Sequence, residues 1–288
     1  MRCLLGFITS VFLYIGYNFA KNHGIQMKKI LITNDDGYES EGLLALASAV
    51  KHLGQVTIVA PSSEKSACGH SLTLTRPLRF VRVEDDFYKL DDGTPSDCVY
   101  LALHSMFEEL KPDIVLSGIN KGSNMGEDIT YSGTASAAME AALQGVSSIA
   151  FSQVYRHMGD HSYVYDYDVA SQVAAELVGR VLEGGFPLGN RRFLNVNIPV
   201  IKKHEFKGYK VTRAGYRHYG NDAHMHRNPR GEEHYWLGLH PLSWSDHESG
   251  DKSYMSDFDA INEGFVSISP IKLDMTAHED LNLLKTWL

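Results

Sequence analysis

Cysteine is scarce in this chain of 288 residues: Cys3, Cys68 and Cys98 are all there is, and no two of them form a C-x-x-C pair. That excludes a disulfide framework and fits a reducing compartment. An excess of positive charge is also missing. The 27 Lys and Arg against 35 Asp and Glu leave a formal charge of -8, which repels a nucleic-acid backbone, so polymeric DNA or RNA is not the expected partner. Internal repeats and low-complexity tracts are absent. With 43% hydrophobic and 22% charged residues, disordered, collagen-like and coiled-coil chains are excluded as well. The length admits one large α/β domain or two smaller ones.

Long uncharged runs are lacking too, except at the front. The 18 residues from Cys3 to Ala20 carry no charge and lie between Arg2 and Lys21. Such a run is a signal peptide, a marginal membrane anchor, or sequence outside the working protein. Asn18 and Phe19 before Ala20 break the small-x-small cleavage pattern, and Met27 stands directly before Lys28-Lys29-Ile30-Leu31-Ile32, which reads as the opening strand of an α/β protein. The expectation is an apolar lead over 1–26, a start-site artefact or a targeting segment, followed by one domain over 27–288. With Met27 as the start, the protein is cytoplasmic and has no membrane contact.

What is present reads as alternating strands and helices. Ile30–Thr33 is a buried strand ending in Asn34-Asp35-Asp36-Gly37, helical spacing runs from Gly42 to Leu53, and Gln55–Ala60 is a second strand. This order predicts a right-handed parallel βαβ unit. Leu72–Val83 and Phe87–Leu90 read as two strands, antiparallel in part. Thr94-Pro95-Ser96-Asp97 opens a helix expected to reach Leu110. Then come a strand over Asp113–Ser117, a Gly-rich loop over Gly118–Gly133, an Ala-rich helix over Thr134–Gln144 and a strand over Ser147–Ser152. A helix through Val169 to Val181 and a strand over Phe193–Ile198 follow. From about Lys202 to Met255 the text is rich in His, Tyr, Gly and Asn and reads as an arm leaving the main sheet. The whole predicts a Rossmann-like, doubly wound, mostly parallel α/β sheet with a C-terminal arm.

In such a sheet, ligands bind beyond the carboxyl ends of the strands. The loops expected there offer Asn34, Asp35 and Asp36; Ser62, Ser63, Lys65 and Ser66; and Asn120, Lys121, Ser123 and Asn124 ahead of Tyr131-Ser132-Gly133-Thr134. These are hard oxygen donors without His or Cys, which suits Mg²⁺, Mn²⁺ or Ca²⁺ and argues against zinc. Two adjacent carboxylates buried bare repel each other, so a cation or a proton must offset them. Ser132-Gly133-Thr134 at a helix start is an anion site in form, although ordinary N-capping explains its hydroxyls equally well. A divalent cation beside an anion site suggests phosphate-ester chemistry.

Five ordered motifs carry a resemblance. Ile32-Thr33-Asn34-Asp35-Asp36-Gly37, Val59-Ala60-Pro61 with Ser66, Gly93-Thr94-Pro95-Ser96-Asp97-Cys98-Val99, Ser117-Gly118-Ile119-Asn120-x-Gly122-x-Asn124-x-Gly126 and Tyr131-Ser132-Gly133-Thr134-Ala135 together resemble the SurE family of 5′/3′-nucleotidases, also called survival proteins or stationary-phase survival acid phosphatases. The match is dense from Met27 through Ser152 and looser beyond. It implies hydrolysis of nucleoside monophosphates with one divalent cation per subunit, Mg²⁺ or Mn²⁺. It places the metal ligands on Asp35, Asp36, Ser66 and Asn120, with Asp35 and Asp36 catalytic. Asn124, Ser132, Gly133 and Thr134 are then expected to hold the phosphoryl oxygens. It also implies a homodimer or homotetramer built through the C-terminal segment. A family start near Met27 makes the 26-residue lead a departure.

Other readings fit less well. A haloacid-dehalogenase-type phosphatase needs Asp-x-Asp, which Asp35-Asp36-Gly37 does not supply. A non-catalytic nucleotide sensor on the same fold is the alternative of a different class. The arm's His218, His224, His226, His234, His240 and His247 lack a cysteine or a fixed ligand spacing, so an interface or rim role is expected over zinc. No motif reads the base.

Overall fold

Short, apolar strands that a parallel sheet buries on both faces set the architecture. The computed structural model describes residues 27–157, 163–164, 166–219, 222–238, 241–245 and 252–288. The apolar lead, His240 and His247 lie outside the described residues. β1 (Lys29–Thr33) leads to α1 (Glu41–Val50), where the Ser40 hydroxyl accepts from the Leu43 amide, and then to β2 (Gln55–Pro61). β1 and β2 pair in parallel, as the predicted βαβ unit requires. β3 (Arg79–Glu84) and β4 (Phe87–Asp91) are antiparallel to each other, and β4 runs parallel to β2. α2 (Pro95–Leu101) starts in a reciprocal cap between Thr94 and Asp97.

β5 (Ile114–Lys121), α3 (Gly133–Leu143) and β6 (Ser148–Gln153) follow. A two-residue pair, β7 (Arg156–His157) with β8 (Tyr163–Val164), precedes α4 (Tyr167–Gly184) and β9 (Arg192–Ile198). β10 (Tyr209–Val211) is followed by β11 (Tyr216–Tyr219), β12 (Asp222–Arg227), β13 (Glu233–Gly238) and β14 (Pro241–Ser245). α5 (Asp257–Asn262), β15 (Val266–Lys272) and α6 (Leu281–Trp287) complete the chain. The nine-stranded sheet runs β10-β15-β9-β6-β5-β1-β2-β4-β3. Side-chain alternation divides its core: Ile30, Ile32, Leu116 and Phe151 pack with α1 and α4, while Leu31, Val59 and Val115 pack with α2 and α3. Helices thus cover both faces.

Several boundaries differ from the sequence reading, each for a local reason. Leu72–Leu78 is not strand, because side chains take its polar groups: Asp97 accepts from the amide and hydroxyl of Thr73 at 2.8 and 2.6 Å, and the Thr94 hydroxyl donates to the Ser71 carbonyl. The helix after Thr94 does not reach Leu110. Past Leu101 it widens, with the Phe107 amide donating to the Ala102 carbonyl five residues back, and it ends there. β5 continues to Lys121 across a register shift after Ser117, so the first part of the expected Gly-rich loop is strand. Within that loop, Gly126–Thr130 forms a 3₁₀ turn. The expected arm contains an edge strand of the main sheet, since β10 pairs in parallel with β15. Its remaining strands form two antiparallel pairs, β11 with β14 and β12 with β13.

The close approach of α1 to β5 gives a test. Helix propensity favours Ala over Gly by about 1 kcal/mol, yet a Cβ on Gly42 would stand 2.0 Å from the Ile119 carbonyl oxygen. Gly42→Ala is expected to destabilise the fold by about 2–3 kcal/mol in urea unfolding. A neutral or stabilising result would refute this packing.

Candidate active site

The sheet order creates a crevice at one place. β1 is followed by β2 on one side, while β5 lies on its other side, so the loops leaving the carboxyl ends of β1 and β5 part from each other there. Asp35 and Asp36 follow β1 directly, and Asn120 and Lys121 end β5. The sequence-predicted carboxylates and amide therefore meet at the switch point of the fold.

Asp35 is 3% exposed. Its carboxylate accepts from the Thr134 amide at 3.1 Å and from the Thr134 hydroxyl, at the first turn of α3. Burial and then the neighbouring Asp36 charge push the Asp35 carboxyl up to about 6, against the Thr134 hydrogen bonds. Asp36 accepts from the Lys121 amide at 3.0 Å, and burial raises its carboxyl too, helped by Glu64. Among the described residues, no Lys, Arg or His side chain donates to Asp35. The Asn120 side-chain nitrogen donates to the Gly122 carbonyl at 2.9 Å, which commits that end of the amide and leaves its oxygen as the donor for a cation.

This donor set fits a hard divalent cation. Two carboxylates without a compensating cationic group at Asp35, an oriented amide oxygen and a nearby hydroxyl are the ligands Mg²⁺ or Mn²⁺ takes. Ser66 is the member placed differently: its hydroxyl donates to Glu64 at 2.8 Å, although the preceding residue's amide, that of Lys65, donates to the Asp35 carbonyl at 2.7 Å. Among the described residues, no group of three or more His, Cys, Asp or Glu gathers as a metal site.

Of the expected phosphate residues, Ser132, Gly133 and Thr134 form the helix start against Asp35, while Asn124 is engaged with β6 and β9. Ser132 is the N-cap of α3, and its hydroxyl accepts from the Ala135 amide at 3.0 Å. Gly133 is the first helical residue, and a Cβ there would lie 2.7 Å from Asp35 Cβ and 3.0 Å from Cys68 Sγ. Only a residue without a side chain lets this helix end approach the carboxylate. The Asn124 side chain donates to Ser152 at 2.8 Å, while its carbonyl accepts from Asn195 and Asn197 at 2.8 and 2.9 Å. Asn124 therefore ties the loop to β6 and β9.

Sequence reasoning missed the groups that hold the loops. Cys68 borders Gly133 and Asp35, and burial, followed by the Asp35 charge, pushes its thiol up to about 11, which leaves it a poor nucleophile. His70, in the same loop, meets Glu140 at 2.7 Å, and Gln144 donates to Glu140 at 2.9 Å. Glu140 on the Ala-rich helix was the available signal, a buried charge that demands a partner. Burial alone would raise its carboxyl, but the hydrogen bonds from His70 and Gln144 outweigh it and hold the group below its ordinary value of 4.5. A depressed carboxyl stabilises the fold above its unfolded pKa and loses that contribution as the pH falls through the folded one. Glu140→Gln is therefore expected to flatten the fall of melting temperature below pH 4.5; an unchanged acid slope would refute the pairing.

Comparison with known proteins bears on the family. The family described as "Survival protein SurE" matches residues 30–221. The 5′-nucleotidase SurE of Helicobacter hepaticus is 59% identical over 263 residues, covering 91% of this chain and 99% of that protein. The 5′-nucleotidase SurE of Campylobacter fetus subsp. fetus is 53% identical over 265 residues, covering 91% and 100%. The crystal structure of the SurE protein from Aquifex aeolicus superposes with a TM-score of 0.74 at 41% identity, covering 90% of this chain and 99% of that one. A family match across the sheet and its site loops, with relatives this similar over nearly their full length, shows that the chain belongs to the SurE family.

Proposed function

We propose that the protein is a divalent-metal-dependent phosphatase that hydrolyses nucleoside 5′- and 3′-monophosphates to nucleoside and phosphate. The observation that carries this reading is Asp35, a carboxylate buried at the switch point beside Asp36 and held by the first turn of a helix. The 5′-nucleotidase names of the relatives support the 5′ reaction.

Asp35, Asp36 and Asn120 hold the cation, and Ser66 joins them when its hydroxyl leaves Glu64. A bound Mg²⁺ or Mn²⁺ supplies neutralisation of the phosphoryl oxygens and a more acidic water. The chain's own groups do the rest. Thr134 fixes the orientation of Asp35, and the Lys121 amide fixes that of Asp36. The first turn of α3 offers its amides and positive dipole end to the phosphoryl group, with Gly133 permitting the approach and Ser132 holding the turn. Asn124, braced on β6 and β9, steadies the loop after β5. Attraction of an anionic substrate by an acidic chain is thus local.

The proposed setting is a cytoplasmic homodimer or homotetramer. Among the described residues, no helix is long and apolar enough to cross a membrane. Tyr235, Trp236 and Leu237 on β13, and Leu283, Leu284 and Trp287 at α6, stand exposed and are the surfaces for subunit contact. Sedimentation is expected to give a dimer or tetramer that Trp236→Ser with Trp287→Ser weakens; a monomeric parent protein would remove this part of the reading.

Phosphate release from a nucleoside monophosphate is expected with Mn²⁺ or Mg²⁺, lost on EDTA and restored by added cation. Asp35→Asn is expected to abolish it while circular dichroism stays native, and Thr134→Val to lower it roughly ten- to hundredfold. Binding of nucleotide without turnover under every metal tested would replace the enzyme by a sensor.

A further inference from the structure

Arg217 is a cation to which the phosphatase mechanism gives no task, yet its side chain is only 11% exposed. It sits on β11, and its guanidinium pairs with the Asp128 carboxylate in the Gly126–Thr130 turn. Its amide donates to the Glu127 carboxylate at 2.5 Å. The guanidinium carbon lies 4.8 Å from the centroid of the Phe258 ring, which in turn stacks on Trp244 at 5.3 Å. The Asp257 carboxylate accepts from Gly126 at 2.8 Å and from Gly215 at 3.0 Å, and so ties the same turn to the strand that carries Arg217.

A short path leads from there to the helix end. The Asp128 carbonyl accepts from the amides of Tyr131 and Ser132, both at 3.0 Å. Ser132 caps α3 at the Ala135 amide, and the next two residues are Gly133 and Thr134 against Asp35. Asp128 thus holds the arm through its side chain and the anion site through its backbone. Among the described residues the ion pair is a single contact, since Asp128 Oδ1 and Arg217 Nε are buried there without a hydrogen-bond partner. Burial pushes the Asp128 carboxyl up despite the cation beside it. Removing Arg217 therefore leaves Asp128 without its counter-charge in a half-buried place.

We propose that Arg217 is a positioning residue: from the arm, it holds the Gly126–Thr130 turn so that the first turn of α3 stays aimed at the substrate's phosphoryl group. The substrate part rests on the phosphatase reading, while the geometry of the clamp does not. Its effect should fall first on phosphate, because among the cation's ligands only Asp35 touches this turn, through Thr134.

The test compares the full-length protein with Arg217→Met, which keeps the apolar stem, and Arg217→Lys, which keeps the charge. KM and kcat for a nucleoside 5′-monophosphate, Ki for inorganic phosphate, the Mn²⁺ activation constant, melting temperature and amide hydrogen exchange are measured. Arg217→Met is expected to raise KM and the phosphate Ki roughly ten- to hundredfold, to speed exchange at Tyr131 and Ser132, and to move the Mn²⁺ constant less than the phosphate Ki. Arg217→Lys is expected to recover part of each effect, and it carries the test if the Met variant does not fold. A lower melting temperature with unchanged KM, Ki and exchange would reduce Arg217 to a structural residue and overturn the proposal. If the parent protein releases no phosphate, the enzymatic reading has failed, and exchange together with calorimetric phosphate binding in Mn²⁺ still decides the clamp by the same criteria.

Discussion

A carboxylate taken out of water must be neutralised or surrounded by donors, and Asp35 is the group around which this site is arranged. It lies at the end of a strand buried on both faces, next to a second carboxylate, and among the described residues its hydrogen-bonding side chain is that of Thr134. That partner is set by α3, whose first turn reaches the carboxylate because Gly133 has no side chain to stand between them. The small residues of α3 extend the same requirement along the helix, since Ala135, Ala137, Ala138 and Ala141 bring it close to the sheet. Burial of one carboxylate thus constrains a strand, a helix and the glycine at their junction.

Loops of this kind cannot hold themselves by backbone ladders. The segment after β2 is fixed by the Lys65 amide on the Asp35 carbonyl, by Asp97 on Thr73 and by Glu140 on His70. The segment after β5 is fixed by Asn195 and Asn197 on Asn124, and by Arg217 and Asp257 on the 3₁₀ turn. Buried polar groups usually have partners, and here those partners come from distant parts of the chain. Asp97 serves two purposes at once, capping α2 and pinning Thr73 at the start of the non-strand segment Leu72–Leu78.

Much of this was legible in the residues. β1 and β2 appear within a residue of where periodicity puts them, and α1 starts within one residue and ends three short, at Val50, because apolar spacing reports burial directly. The loops that bear Asp35, Asp36 and Asn120, and the helix start at Gly133, were identifiable from position, while the choice of Asn120 within its loop came from the family resemblance. Other features were less legible. The hydroxyls of Ser132 and Thr134 allowed either a cap or an anion contact; the structure gives the cap to Ser132 and turns Thr134 onto Asp35. The resemblance puts Ser66 among the metal ligands, and here its hydroxyl donates to Glu64. A hydroxyl rotates about one bond, so its direction depends on whatever acceptor the loop happens to bring near.

The sequence alone determined the α/β class, the order of strands and helices, the two apolar faces of the sheet and the loops that bear the carboxylates. Each of these follows from local spacing, cap residues and strand length. Tertiary structure alone decided which loops meet and what holds them: His70 with Glu140, Asn124 with Asn195 and Asn197, Arg217 with Asp128. These partners are 70 to 89 residues apart. Their encounter depends on the order of strands in the sheet and on how closely helices pack against it, and a periodic pattern records burial at each position without recording the neighbour.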